Sequence, residues 1–100
     1  MAAQRRTITV KAAERPPSIV GRVSGGARDG VPSRATLTLR DLEGTVVDRG
    51  TADSTGQYSL TPPRPGTYVL SCSAGGHRPQ ATLVAVGNRT VRHDITLDPA

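Results

Sequence analysis

From Ser18 to Leu97 the chain is a series of short alternating apolar and polar runs, each cut by a glycine- or proline-bearing turn. Alternation with a period of two marks strands with one face against a core. Ile19, Gly21 and Val23 alternate with Val20 and Arg22 in the first run. Ala35, Leu37 and Leu39 then point one way while Thr36, Thr38 and Arg40 point the other. Asp41 to Gly44 reads as a turn and Thr45 to Thr51 as the return strand of a hairpin. Tyr58 and Leu60 face inward on a short strand, and Thr67 to Ala74 follows with Tyr68, Leu70, Cys72 and Ala74 on one face. Ala81 to Val86 and Val91 to Leu97 complete the set.

The interruptions are as informative as the strands. Asp29-Gly30, Asp53 to Gly56 and Gly87-Asn88 are tight-turn signals, because Asp, Asn and Gly tolerate turn backbone angles. Pro62, Pro63, Pro65 and Gly66 are expected to form a loop outside any sheet ladder, since proline lacks the N–H a ladder needs. Gly75-Gly76-His77-Arg78-Pro79 is a second loop. No helical period occurs. Seven strands of 4–8 residues with a turn every 8–12 imply an all-β sandwich over residues 18–98. Residues 1–17 read as a linker or disordered arm ending in Pro16-Pro17, with an extra edge strand at Thr7 to Val10 as the alternative.

Composition narrows the class. One hundred residues make one domain, and with no Phe or Trp and only two Tyr the core must be aliphatic. The net charge is +5, and twelve of the thirteen basic residues are Arg. A lone Cys72 excludes an internal disulfide and a cysteine-based zinc site. No run of eighteen apolar residues is present to span a bilayer, and MAAQRRTITV carries signal-like charges with no apolar stretch behind them, so no export signal is expected.

An ordered series of short motifs then points to a family. It runs Ile19-x-Gly21-x-Val23, Gly30-Val31-Pro32, Ala35-Thr36-Leu37-Thr38-Leu39 and Gly44-x-Val46-Val47. It continues with Thr51-x-Asp53-x-x-Gly56-x-Tyr58-x-Leu60, Pro65-Gly66-Thr67-Tyr68-x-Leu70, Ala74-x-Gly76-His77-x-Pro79 and Asp94-Ile95-Thr96-Leu97. The series resembles the carboxypeptidase regulatory-like domains. That resemblance implies a prealbumin-like (transthyretin-like), seven-stranded Greek-key β-sandwich. It also implies a non-catalytic accessory module of a larger membrane or cell-envelope protein, with no cofactor. The wording from Gly66 through Pro79 to the closing Arg92-His93-Asp94-Ile95-Thr96-Leu97 is also similar to bacterial domains at the C-terminal end of actinobacterial major facilitator transporters. That likeness implies a place on the cytoplasmic face of the membrane; otherwise the cell envelope or the exterior is expected.

The residues offer little chemistry beside this. The two His, without an HxxE pair, cannot supply a metallocarboxypeptidase zinc site. The ending Leu97-Asp98-Pro99-Ala100 departs from the Tyr-Arg-Gly-Ser ending of hydroxyisourate hydrolases. An isopeptide bond would have to use Lys11 with Asn88 beside Glu43 or Asp94. His93 reads as a histidine at the core edge, Cys72 as a small buried apolar group, Asp53 as a turn former and Asn88-Arg89-Thr90 as a chance sequon. The arginines are dispersed, with no stacking aromatics among them, so nucleic acid is not an expected partner. Contact with the rest of a larger polypeptide or another protein is expected at residues 24–33 and at Gly75, Gly76, His77 and Arg78. The isolated domain is expected to be a monomer. The alternative is a ligand- or carbohydrate-binding module, which would ordinarily need exposed aromatics.

Overall fold

A computed structural model describes residues 17–25 and 34–99. These form eight strands and no helix: β1 (Ile19–Ser24), β2 (Thr36–Arg40), β3 (Val46–Thr51), β4 (Gln57–Leu60), β5 (Gly66–Ser73), β6 (Gln80–Val86), β7 (Val91–Arg92) and β8 (Ile95–Thr96). The expected leader and most of the 24–33 loop lie outside the described residues. Pro17, assigned to the leader, is buried.

The strands make two sheets. One has the order β3-β2-β5-β6, antiparallel throughout. In the other, β1 lies between antiparallel β4 and the parallel pair β7 and β8. β3 lies beside β4 across the sandwich, and β5 returns next to β2. The spatial order β5-β2-β3-β4 is a Greek key.

The alternation explains the core. Ile19, Val23, Ala35, Leu37, Leu39, Leu60, Leu70, Cys72 and Leu97 are at most 1% exposed, and Tyr58, Tyr68, Val84, Val86 and Ile95 complete the buried cluster. Ala74 packs against it at the margin. Burying one such aliphatic side chain contributes about 1.5–3 kcal/mol. The inward faces expected for the 35–40, 58–60 and 67–74 runs are the observed ones.

Two expectations need correction. The loop expected at Pro62, Pro63, Pro65 and Gly66 ends one residue sooner, because Gly66 opens β5 opposite Val86. Gly66 has an N–H, so it can join the ladder where the prolines cannot. Tyr68, two residues on, also lies against it. The strand expected from Val91 to Leu97 is split. Ile19 pairs with Val91, Val20 with Arg92, Val23 with Ile95 and Ser24 with Thr96. The register is the same on both sides, so β7 and β8 are one line of chain interrupted at His93-Asp94.

The interruption has a physical cause. A Cβ at Gly21 would lie 1.9 Å from the His93 carbonyl oxygen, closer than any side chain allows. Glycine therefore lets the His93 carbonyl turn across β1, where the Tyr58 hydroxyl donates to it. The Arg22 N–H donates instead to Asp94 Oδ1 at 3.0 Å. The His93 N–H still donates to the Val20 carbonyl at 2.8 Å. Gly21, Tyr58, His93 and Asp94 thus form one fastening between β4, β1 and the last strand.

Two aspartate turns repeat a second device. Asp41 Oδ1 accepts the N–H groups of Glu43 and Thr45, both at 2.9 Å. Asp53 Oδ1 accepts those of Thr55 at 2.9 Å and Gln57 at 3.0 Å, and the Thr55 hydroxyl at 2.6 Å. Each turn closes on a glycine with positive φ, 93° at Gly44 and 89° at Gly56. Glycine adopts that conformation without steric cost.

Candidate interaction surface

The strand directions gather the connections at two ends of the sandwich. One end carries Ser24-Gly25, Arg34, the Asp53–Gly56 turn, the 75–79 loop and the tail at Asp98-Pro99. The other carries the Asp41–Gly44 turn, residues 61–65 between β4 and β5, and residues 87–90.

At the first end, Gly75, Gly76 and Arg78 are exposed and His77 is half-buried. The loop is nevertheless well tied. The His77 N–H donates to the Ala74 carbonyl at 3.2 Å, and Gly76 takes a positive φ of 76° to allow the reversal. His77 Nδ1 lies 3.0 Å from the Gly75 carbonyl oxygen. His77 bridges Pro99, and the Arg78 N–H donates to the Asp98 carbonyl at 2.8 Å. The Leu97 N–H in turn donates to the Ser24 carbonyl at 2.8 Å. The structure therefore brings the start of the 24–33 loop and the 75–79 loop to one end through residues 97–99. Arg34, Asp53, Arg78 and Asp98 are all exposed at this end.

The other sequence candidates have structural duties. The Tyr58 hydroxyl is bound to His93, and the Tyr68 hydroxyl donates to the Arg64 carbonyl at 2.5 Å. Burial first, and the Asp94 carboxylate second, push the Tyr58 phenol up to about 12. Burial also raises the Cys72 thiol, which disfavours the nucleophilic thiolate. The hydrogen bonds at His93 are made by its backbone. Asp53 is held below the usual carboxylate range, first by the Thr55 hydroxyl and then by backbone N–H groups. Among the described residues no three His, Cys, Asp or Glu converge on a metal position. No helix among them is long and apolar enough to cross a membrane. Lys11 lies outside the described residues.

The alternation did not reveal two grooves. A shallow one of about 460 Å³ runs over the outer face of β4 and β1, with Gln57, Ser59, Thr51 and Arg92 on its walls. Another of about 360 Å³ lies at the second end, between the Asp41–Glu43 turn and Pro63–Gly66. Leu42, 67% exposed, stands beside it. Both join segments distant in the chain, which a single-strand pattern cannot report.

Solved structures share this architecture at low identity. The minor pilin GBS52 of Streptococcus agalactiae aligns over 87% of this chain and 46% of its own, with a TM-score of 0.71 and 17% identity. The group B streptococcus pilus 2b backbone protein aligns over 86% and 42%, at 0.71 and 16%. A dioxygenase domain from Streptomyces sp. SirexAA-E aligns over 85% and 80%, at 0.57 and 17%. The chain thus spans less than half of either pilin structure, and 17% of the Bacillus anthracis TIE protein. These likenesses establish the fold alone, and the dioxygenase shows that the fold does not decide catalysis. No curated protein matches the chain. The family assignment comes from the sequence series and the sandwich together: residues 18–98 match the carboxypeptidase regulatory-like domain, and the chain belongs to that family.

Proposed function

We propose that residues 18–98 are a non-catalytic accessory module that holds or docks part of a larger membrane or cell-envelope polypeptide, with the residues before Pro17 as its tether. A transporter carrying it as a soluble C-terminal domain is one such parent. The carrying observation is the commitment of the chemistry-bearing side chains. Both tyrosine hydroxyls bind backbone carbonyls, the thiol is buried, and Asp41 and Asp53 hold turns. The contact surface is the end built from Gly75, Gly76, His77 and Arg78, held in shape by Asp98 and Pro99.

The test uses the parent polypeptide with Arg78→Glu. Arg78 is exposed, so the domain keeps its melting temperature while co-assembly with the parent weakens. Unchanged assembly refutes this surface. The groove beside Gln57 and Arg92 favours a second reading, binding of a polar ligand such as a carbohydrate. Saturable NMR shifts of Gln57 and Ser59 with a glycan panel would establish it in place of the first.

A further inference from the structure

An exposed sheet edge offers unpaired N–H and C=O groups to another strand, and proteins ordinarily blunt such edges with charges, proline, bulges or brevity. Among the described residues, three of the four sheet edges are blunted. β3 carries Asp48 and Arg49, and its register shifts between Leu39 and Arg40. β4 has four residues and runs into Pro62-Pro63. The last strand is broken at His93-Asp94 and carries Arg92.

β6 has none of these devices. Its seven residues, Gln-Ala-Thr-Leu-Val-Ala-Val, contain no charge, proline or glycine. They pair with β5 in unbroken register from Gly66 opposite Val86 to Cys72 opposite Gln80. Its outer face shows Ala81, Leu83 and Ala85, all exposed, with Leu83 at 65%. The Gln80 side chain reaches the Thr96 carbonyl at one corner of the sandwich. Residues 81–86 continue beyond that corner.

The sequence of the edge says what pairs with it. Ala81-Thr82-Leu83-Val84-Ala85 reads nearly the same in both directions, because Thr and Val have almost the same shape. We propose that β6 pairs antiparallel with β6 of a second copy of this chain, about a two-fold axis at Leu83. Leu83 of one copy then faces Leu83 of the other, Ala81 faces Ala85, Thr82 faces Val84 and Gln80 faces Val86. The exposed leucines cover each other, and no charges meet. Moving the axis by one residue sets the leucine against a different neighbour and loses this match. The two four-stranded sheets become one eight-stranded sheet, and the docking end at 75–79 is present twice.

The contact is small. Seven paired residues make a strip roughly 23 Å long and one strand wide, smaller than the faces that bury roughly 1,200–2,000 Å² in stable interfaces. The dimer therefore forms at roughly 0.1–1 mM of chain, or wherever the parent concentrates copies on a surface. At dilution the chain is a monomer.

Sedimentation equilibrium of the full chain up to about 1 mM tests this. The wild type's average mass rises towards the dimer. L83K and L83D, changing an exposed position, keep the melting temperature and associate at least about tenfold more weakly. Mixing the two variants in equal amounts restores association as a one-to-one pair, because the axis sets position 83 opposite itself. A wild type that stays monomeric at 1 mM overturns the proposal, as does L83K associating like the wild type. A mixture that stays monomeric overturns the Leu83 register.

Discussion

Replacing Tyr58 with Phe removes one oxygen atom from the fastening of β4, β1 and the last strand. The ring keeps its place in the core, so packing is nearly unchanged. The hydroxyl's bond to the His93 carbonyl is lost. That carbonyl has been turned out of the regular ladder, and the Arg22 N–H, its ordinary ladder partner, is already donated to Asp94. An acceptor left without a donor in a half-buried site costs about 1–3 kcal/mol, and this is the expected loss at pH 7. The phenol also gives the fold an alkaline limit. In the unfolded chain it ionises near 10, and in the folded one at about 12. Between these values the unfolded state gives up the proton and the folded state keeps it. Stability from this group is therefore complete below pH 10 and lost as pH rises through 12. Two pH units at 1.36 kcal/mol each come to about 2–3 kcal/mol. The hydroxyl itself is only part-buried, so solvent screening makes this an upper figure. Urea unfolding of wild type and Tyr58→Phe from pH 7 to 11.5 reads both quantities. The wild type should fall more steeply above pH 10 than the variant. A loss under about 0.5 kcal/mol at pH 7 together with parallel alkaline curves would refute the fastening.

Gly21→Ala sets a methyl group against the His93 carbonyl, and a loss of at least about 3 kcal/mol is expected in urea unfolding; a change in melting temperature under about 5 °C would contradict the close approach. Tyr68→Ala should destabilise by about 3–5 kcal/mol, since the ring is 4% exposed and its hydroxyl holds the Arg64 carbonyl; a loss under about 1 kcal/mol would mean that the ring is not core. Asp53→Ala should lower the melting temperature at pH 7 by opening the turn before β4. The Asp53 carboxyl is depressed in the fold, so its contribution is present above the ordinary carboxylate value and fades as pH falls. The gap between wild type and variant should therefore narrow as pH falls below the ordinary carboxylate value of 3.8; a gap that widens on acidification would show that the charge is not what holds the turn.

How much was legible follows from the range of each signal. The faces of β2, β4 and β5 could be read because alternation is a property of adjacent residues. Asp41 with Gly44, and Asp53 with Gly56, announced their turns within four residues. The break at His93-Asp94 could not be read, because its cause is Gly21, which lies far away in the chain. Which carbonyl the Tyr58 hydroxyl meets could not be read either, because it depends on how β4 and the last strand flank β1. Outward β6 residues are as apolar as its inward ones, so composition alone did not separate the exposed Leu83 from the buried Val84. The Gly75–Arg78 loop was named from its composition, and its bonds to Asp98 and Pro99 came only with the fold.

The proposed function is contact between this sandwich and the rest of a larger polypeptide. NMR shift mapping of the labelled chain against the remainder of its parent polypeptide tests that most directly. Saturable shifts confined to Gly75, Gly76, His77, Arg78 and Asp98 are expected. Shifts centred on Gln57, Ser59 and Arg92, or none at millimolar concentration, would contradict it.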